Sequence, residues 1–352
     1  MKVLKLSLLG LALSAGPIVA CAVAPHANQA VAIADESAII IWDAASKTEH
    51  FIRRASFQTG AKDFGFLVPT PSKPELAEAS DAAFKYLAEV TAPRVVNATR
   101  STQNPGCGCG AKSANLAMMA PGNKVEVLEE KRVAGYDAVV LAADDAAALG
   151  KWLKDHDYEF SPALTEWVKP YLTAGWKITA FKIAKDAEAA TVATSAVRMT
   201  FKTDKPFYPY REPQSSLPAI SKLTGSRLLR VYFLGDAKSK GNLGESGAWP
   251  GRLVWAKPPT PFQRDQLRTK LNLPEDALRE ANWLTEFEDH SSPRPGTDDV
   301  FFASTDDKTP VERPAITHYA ARSFPDCVMC FALAACLFGP QVGRWMRRKH
   351  QS

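Results

Sequence analysis

After its first 35 positions the chain contains short runs that are rich in β-branched and aromatic residues. Two of them, Ser37–Trp42 and Glu49–Phe57, are separated by Asp43–Lys47, which predicts a β-hairpin with a five-residue connection. Phe64–Val68 predicts a third strand that prolines close. The apolar residues of Pro74–Val90 recur instead at helical spacing, so this segment is predicted to be a helix.

The middle of the chain begins with a linker and continues with a strand and a helix. Thr91–Gly122 contains a Pro-Gly-Cys-Gly-Cys-Gly run, whose glycines favour irregular structure. Val125–Val140 predicts one strand, or two strands broken at Gly135. Asp144 and Asp145 are suited to cap a following helix, because their carboxylates accept hydrogen bonds from its first N–H groups.

A further helix is predicted to start at Ser161, an N-cap residue, with Pro162 in the first helical position. Its apolar stripe consists of Leu164, Val168 and Leu172. Gly175 supplies the end of this helix, and Pro170 is expected to kink or shorten it.

Five more runs of β-forming residues predict strands in the rest of the chain. They are Trp176–Ile183, Ala196–Thr203, Arg227–Leu234, Trp283–Glu288 and Val300–Ala303. Strands and helices in mixed order, with hairpins, predict an α+β fold. We expect mixed, largely antiparallel sheets with packed helices, between a signal peptide and a C-terminal apolar tail.

The N-terminus has the layout of a secretory signal peptide. Met1–Lys5 is short and basic, Leu6–Leu13 is almost wholly apolar, and Ser14–Pro17 ends that run with helix-breaking residues. The apolar run is too short for a bilayer core of about 30 Å, which takes roughly 20 helical residues. We therefore predict export of this chain across the cytoplasmic membrane, to the periplasm or cell surface.

Two alternatives remain open for processing of this leader. Ile18-Val19-Ala20-Cys21 resembles a bacterial lipobox, which predicts removal of residues 1–20 and acylation of Cys21. Ala20-Cys21-Ala22 also satisfies the small-x-small rule for ordinary cleavage, which would leave Val23 as the first mature residue.

The C-terminus predicts a membrane anchor. Residues 327–343 are uncharged and mostly apolar, and residues 344–352 form a basic tail. The positive-inside rule would leave that tail in the cytoplasm and the body outside it, in agreement with the signal peptide. We therefore predict that 327–343 is a transmembrane or sorting segment. A buried C-terminal helix is the alternative, but Gly339-Pro340 would break it.

These features divide the chain into six predicted parts. They are a signal peptide (1–20), an N-terminal α+β part that includes the Cys-Gly-Cys linker (21–122), a second α+β part (123–305), a linker (306–326), the apolar segment (327–343) and the basic tail (344–352). The two α+β parts are predicted either as separate bodies or as one continuous domain.

The net charge of +5 comes from the two ends of the chain and not from the body of the protein. Six basic residues lie in the first 20 and last nine positions, where there is no acidic residue, and without them acidic residues outnumber basic ones by one. Nucleic-acid binding requires a concentrated positive field, so we do not expect that partner. The membrane is the expected partner, and an envelope or cell-wall component is a further one.

A pair of cysteines is the most specific local feature of the sequence. Cys107 and Cys109 lie on the glycine-rich linker, where two thiols could bind a soft metal or exchange disulfides. Two ligands do not complete a zinc site, and a disulfide within Cys-x-Cys is strained, so a structural role or a bridge to another cysteine is favoured. Cys327 and Cys330 have redox-motif spacing, but they lie in the apolar tail and no catalytic role is predicted.

Histidines and acidic residues supply no further catalytic motif. The scattered histidines are His26, His50, His156, His290, His318 and His350. Gly244–Gly247 does not match a nucleophile elbow. A group of acidic residues could gather around a cation, but it lacks calcium-loop spacing and favours a solvated acidic turn. The members of this group are Glu286, Glu288, Asp289, Asp298 and Asp299. No catalytic residue, metal ligand set or cofactor is predicted.

Several stretches resemble one bacterial protein family. They are Ala134–Leu141 (AGYDAVVL), the run DDAAALGKWL from Asp144, His156–Tyr158 (HDY), Tyr171–Trp176 (YLTAGW), Phe64–Pro71 (FGFLVPTP) and Trp283–Thr285 (WLT). Their combination is similar to the exported domain-of-unknown-function family numbered 2330, from about Asp35 to Phe302, with a departure at Pro206–Pro213. The resemblance implies an exported protein and carries over no activity, cofactor or catalytic residue.

The sequence therefore predicts an uncharacterised exported envelope protein at the outer face of a bacterial membrane, acting through binding or assembly and not as an enzyme. The alternative is an envelope enzyme, or a metal or thiol redox protein that uses Cys107 and Cys109.

Overall fold

A computed structural model describes most of the body of the chain. The described residues are 22–25, 31–59, 64–98, 125–158, 160–184, 196–213, 228–291 and 294–319. In chain order the strands are β1 (Ala22–Pro25), β2 (Val31–Asp43), β3 (Thr48–Thr59), β4 (Phe64–Thr70), β5 (Glu75–Ala79), β6 (Val95–Ala98), β7 (Val125–Val133), β8 (Tyr136–Ala143), β9 (Lys177–Ile183), β10 (Ala196–Lys202), β11 (Phe207–Tyr208), β12 (Leu228–Gly235), β13 (Ser239–Leu243), β14 (Gly247–Ala248), β15 (Arg252–Lys257), β16 (Trp283–Asp289), β17 (Val300–Ser304) and β18 (Ile316–Tyr319). The helices are α1 (Ala82–Val90), α2 (Ala146–Asp155), α3 (Pro162–Thr173) and α4 (Pro261–Lys270).

The predicted first hairpin is confirmed and forms the centre of a seven-stranded sheet, which we call sheet B. Its strand order is β15-β16-β12-β2-β3-β10-β5. Strands β2 and β12 pair in parallel, and the other neighbours pair antiparallel. The side chain of Asp43 stabilises the hairpin turn, since its Oδ1 accepts hydrogen bonds from the N–H groups of Ala45 and Ser46.

A five-stranded antiparallel sheet, sheet A, has the order β1-β4-β9-β8-β7. The segment Val125–Val140 is two strands, joined at Ala134 and Gly135, which both have positive φ (52° and 80°). Such a turn matches the twist of a two-residue hairpin. Helices α2 and α3 cover one face of this sheet through a shared apolar cluster.

The helix caps agree with the sequence. Asp145 accepts a hydrogen bond from the N–H of Ala148 at the start of α2, and Ser161 accepts one from the N–H of Leu164 at the start of α3. Helix α3 continues through Pro170 to Thr173, so the proline does not shorten it.

The prediction of a helix over Pro74–Val90 is wrong for the first half of that segment. Glu75–Ala79 is strand β5, which pairs antiparallel with β10, and the helix begins only at Ala82. Leu76 and Ala79 are buried in this strand, so pairing with an edge of sheet B overrides the helical spacing of the apolar residues.

A four-stranded sheet, sheet C, has the order β11-β17-β13-β14. Sheets A, B and C belong to one compact unit, which we call the main body. Strands β13 to β15 and helix α4 were not predicted. Helix α4 begins with a capping box, in which Thr260 and Gln263 exchange hydrogen bonds. Pro261 directly follows the N-cap residue Thr260. Its residues are mainly polar and it buries Leu267, so it gives little apolar periodicity to read.

Three apolar clusters form the core of the main body. One includes side chains from sheets A, B and C, such as Phe51, Phe66 and Phe302. The second lies between sheet A and helices α2 and α3, and the third lies between sheet B and helices α1 and α4. Each sheet therefore has a defined inward face, which fixes its register.

Residues 93–98 and 314–319 belong to a second compact unit. It contains β6 and β18, which pair in parallel from Ile316–Val95 to Tyr319–Ala98. Within the part of the chain that the structure describes, no helix combines the length and apolarity that crossing a bilayer requires.

Candidate functional site

Three fully or nearly buried charged side chains meet at one end of sheet B. Arg53 Nε on β3 donates to Glu36 Oε1 on β2 at 2.9 Å, and Arg294 Nη1 donates to Glu36 Oε2 at 3.3 Å. The side chains of Arg53, Glu36 and Arg294 are 5%, 0% and 0% exposed. Burial of three charges is tolerated because each guanidinium shares the same carboxylate. We call these residues the buried triad.

A tyrosine–aspartate pair lies on the same face of sheet B. Leu229 on β12 pairs with both Glu36 and Asp289, so all three side chains share that face. Tyr210 Oη donates to Asp289 Oδ2 at 2.7 Å, and the N–H of Ser291 donates to Asp289 Oδ1 at 2.8 Å. Burial, together with the charge of Asp289, raises the pKa of the Tyr210 hydroxyl, so this phenol stays protonated.

Asp299 joins three separate segments of the chain. Its Oδ1 accepts hydrogen bonds from Tyr171 Oη on α3 at 2.9 Å and from the backbone N–H groups of Tyr210 and Arg211 at 3.1 Å each. Burial raises the pKa of the Asp299 carboxyl to about 6, although these donors oppose the shift. Asp299 is therefore a buried group that titrates close to neutrality.

Glu49 is a second buried carboxyl with an altered pKa. Its side chain lies in the interior, and Oε2 accepts a hydrogen bond from the N–H of Phe207 at 2.9 Å. Burial raises its pKa well above the ordinary value. This hydrogen bond fastens the start of β11 to strand β3.

The other face of β16 carries a second group of acids paired with arginines. Arg313 Nη2 donates to Glu286 Oε1 at 2.9 Å and to Glu288 Oε1 at 2.8 Å, and Arg230 Nη2 donates to Glu288 Oε1 at 2.7 Å. Although burial acts to raise it, the two arginines bring the pKa of Glu288 to about 2. Both carboxylates are therefore neutralised by neighbouring guanidinium groups.

The expectation of a solvated acidic turn is corrected by this arrangement. Glu286 and Glu288 point to one face of β16, whereas Asp289 points to the other face with the buried triad. Asp299 is buried as well, and Asp298 is the partly exposed member, paired with Arg211 at 2.7 Å. Among the described residues no group of three or more metal-ligating side chains is found, so the five acids do not gather around one cation there.

A groove of about 620 Å³ opens between helices α2 and α3. Ala147, Gly150 and Phe160 contribute apolar surface, and charged side chains such as Lys151 and Glu166 lie along it. A Cβ atom at position 150 would come within 2.5 Å of the Phe160 ring, so glycine is needed there for this ring to lie against α2. Apolar and charged side chains therefore line the groove together.

A much smaller cavity, of about 20 Å³, lies inside the core. It is lined by aromatic and aliphatic side chains from sheets A and B, such as Phe66 and Phe181, and by Arg53. It has room for about one water molecule, so it is not a substrate site.

Three histidines have described side chains, and they lie apart from one another. His50 Nδ1 lies 2.9 Å from Thr200 Oγ1, and burial together with Arg198 lowers its pKa to about 4. The His156 ring stacks on Trp152 at a centroid distance of 3.9 Å. His290 Nε2 lies 3.4 Å from Glu288 Oε2. Gly244–Gly247 lies at the β13–β14 turn.

Several predicted sites lie outside the described residues. They are the lipidation candidate Cys21, the thiols Cys107 and Cys109, the tail cysteines Cys327 and Cys330, and residues His26 and His350. Neither the buried triad nor the groove is predicted from the sequence. The triad leaves no local signal, since Glu36 and Arg294 are 258 positions apart, and the contact of Gly150 with Phe160 at the groove becomes visible only in the structure.

Comparison with known proteins adds a family but no activity. A search of curated proteins finds no match. The crystal structure of baculovirus P35 is similar at 7% sequence identity and a TM-score of 0.38, over 78% of this chain and 98% of that chain.

The predicted family resemblance is confirmed. The match spans residues 16–239, so the stretch Trp283–Thr285 lies beyond it. Over this range, which is more than half of the chain, the sequence fits the model of one family, and the protein belongs to the family described as "Uncharacterized protein conserved in bacteria (DUF2330)".

Proposed function

We propose that this protein is an exported component of the bacterial cell envelope, held at the outer face of a membrane, whose body acts by binding another envelope protein. The membership of a bacterial family supports a bacterial envelope as the setting. The tripartite leader at residues 1–20 supports export.

The groove between α2 and α3 is the observation that carries the binding role. It is open to solvent, and its volume of about 620 Å³ lies within the range of ligand-binding sites, roughly 300–1,000 Å³. Both signs of charge occur along it, since Lys151 pairs with Asp155 and Glu166 pairs with Lys169. A polypeptide segment can match both apolar side chains and charges of both signs, so a protein partner fits this surface best.

The internal polar groups have a different role from the groove. The carboxylates of Glu36, Asp289 and Asp299 accept hydrogen bonds from side chains and backbone groups of the body itself. Buried hydrogen-bond networks of this kind hold neighbouring elements in fixed positions. We assign them to the rigidity of the body that presents the groove.

Site-specific photo-crosslinking in a bacterial host tests this proposal. A photoreactive residue at Thr165, which lines the groove, is expected to form one defined adduct with an envelope protein, identified by mass spectrometry. The substitution Ala147→Trp fills the groove from an exposed position and should abolish the adduct. Ala45→Trp, in the exposed β2–β3 turn, is the matched control and should leave it unchanged.

Two results would contradict the binding role. One is an adduct that persists at full yield in the Ala147→Trp variant, since the groove would then not contact the partner. The other is the absence of any adduct from Thr165 when folding is shown to be intact by circular dichroism.

A further inference from the structure

The groove side of helix α2 has the residue spacing of a helix–helix contact. Ala147, Gly150, Lys151 and Lys154 line the groove and stand at positions i, i+3, i+4 and i+7 of α2. Residues at this spacing lie on one face of an α-helix. Leu149 lies on the opposite face and packs in the core between α2, α3 and sheet A. The groove face is therefore separate from the contacts that hold α2 to the body.

The residues that line the groove also give its direction. Its α2 wall extends from Ala146 to Asp155, which is about 14 Å at a helical rise of about 1.5 Å per residue. Its α3 wall lies within Pro162–Glu166, in the first turns of that helix. Ala147 and Gly150 have the smallest side chains near the middle of the α2 wall, so another helix axis can approach to about 8 Å. A ligand that fills the groove therefore lies along α2.

The walls of the groove favour a ligand that satisfies its own backbone. Within α2 and α3 the N–H groups donate to carbonyl groups four residues earlier, and the Ser161 side chain accepts from the N–H of Leu164. Neither wall is a sheet edge that could pair with an extended strand. A backbone group that loses water without gaining a partner costs free energy. A helical segment brings its hydrogen bonds into the groove and avoids this cost.

Lys154 leaves one charge of the groove open to a partner. Lys151 pairs with Asp155, and Glu166 pairs with Lys169. Lys154 is exposed and forms no ion pair with another described residue. A carboxylate of the partner can therefore pair with Lys154 without breaking an existing ion pair. Opposite charges at the edge of an interface also favour the correct register of the partner.

We propose that the partner inserts an amphipathic α-helix into the groove, along α2. Small apolar residues of that helix face Ala147 and Gly150, and one of its acidic side chains pairs with Lys154. This inference rests on the proposed function and names the kind of segment that the groove recognises. Helices bound in grooves present anchoring side chains at positions i, i+3, i+4 and i+7. The groove face of α2 has the same period, so the two helices can interlock.

An alanine scan of the bound segment tests its conformation. The photoreactive residue at Thr165 of the full chain forms the adduct, and mass spectrometry identifies the partner peptide that carries it. Alanine is then placed, one position at a time, at about ten partner positions around the adduct, which is roughly three helical turns. We expect the adduct yield to fall at positions spaced three or four residues apart, as for one face of a helix. A fall at every second position would instead indicate an extended segment.

Charge reversal at Lys154 tests the ion pair. Lys154→Glu should lower the yield of the Thr165 adduct about two- to fivefold, since an exposed ion pair contributes modestly to binding. Lysine in place of the partner's acidic residue nearest the adduct should restore the yield with the Lys154→Glu protein. Lys240→Glu is the matched control, because Lys240 is also exposed and unpaired among the described residues but lies on β13, outside the groove.

Two outcomes would overturn the inference and leave the binding role intact. They are an alternating pattern in the alanine scan, and a Lys154→Glu yield equal to that of Lys240→Glu. An adduct to a second copy of this chain, or to lipid alone, would assign another occupant and overturn both. Absence of any Thr165 adduct would contradict the proposed function itself, and the inference would fall with it. Circular dichroism of each variant shows whether the fold is retained.

Discussion

Arg53 and Glu36 form an ion pair between neighbouring strands β3 and β2, with 2.9 Å between Nε and Oε1 and with both side chains shielded from water. Arg294 shares the same carboxylate, and its Nε and Nη2 atoms contact no hydrogen-bond acceptor among the described residues. Loss of the Glu36 charge would therefore leave two buried guanidinium groups without their shared partner. We therefore expect the triad to be sensitive to a change of charge.

We expect Glu36→Gln to lower the free energy of unfolding by about 3–5 kcal/mol, because breaking a buried ion pair leaves an uncompensated buried charge. Urea denaturation monitored by tryptophan fluorescence measures this change. Asp204→Asn is the matched control, since it removes a surface ion pair with Lys47 in which both side chains are more than half exposed. That variant should leave the free energy of unfolding nearly unchanged, because a solvent-exposed ion pair contributes little to stability. Equal effects of the two substitutions would contradict the assigned role of the triad.

Asp299→Asn should change the pH dependence of stability. In the wild type the folded-state pKa of about 6 is above the unfolded value, so the folded state binds the proton more tightly. The resulting stabilisation is fully present below about pH 4 and is lost as the pH rises through 6. An asparagine keeps an Oδ1 acceptor for its three donors and does not ionise.

The stability of Asp299→Asn relative to wild type should therefore increase between pH 4 and pH 7, by on the order of 2 kcal/mol. Chemical denaturation at several pH values in this range measures the difference. A difference that stays constant, or that decreases with rising pH, would show that Asp299 does not titrate as the buried geometry requires.

Glu49 allows the charge of a buried carboxyl to be separated from its hydrogen bond. Because its pKa is raised by burial, Glu49→Gln should leave stability unchanged or increase it near neutral pH. Glu49→Leu instead leaves the N–H of Phe207 without its acceptor, and should cost about 1–3 kcal/mol. Thermal denaturation of both variants at pH 7 measures the contrast, and a glutamine variant less stable than the leucine variant would refute this explanation.

The sequence predicted local structure better than long-range contacts. The β2–β3 hairpin and the caps of α2 and α3 depend on neighbouring residues such as Asp43, Asp145 and Ser161, so a local pattern identifies them. Strand β5 was assigned to a helix because its burial depends on pairing with β10, more than a hundred positions away. Contacts of this kind have no signal within a single window of sequence.

The candidate site shows the same limit. The groove depends on the packing of Phe160 against Gly150, and the buried triad brings together residues from β2, β3 and the loop after β16. Acidic residues near position 288 were expected to be solvated, because their arginine partners come from other strands and from the segment after β17. A charge becomes buried only when its partner is placed by the fold.

Fractionation and intact-mass measurement in a bacterial host test the central claim, that this is an exported protein held at the outer face of a membrane. The full chain is compared with one that ends at Phe324, before the apolar segment. We predict that the full chain is in the membrane fraction with residues 1–20 removed, and that truncation releases a processed protein into the periplasm. Retention of the truncated chain with an acyl-sized mass increment at Cys21 would assign the anchor to a lipid. A full chain that is soluble in the cytoplasm with residues 1–20 intact would contradict the account.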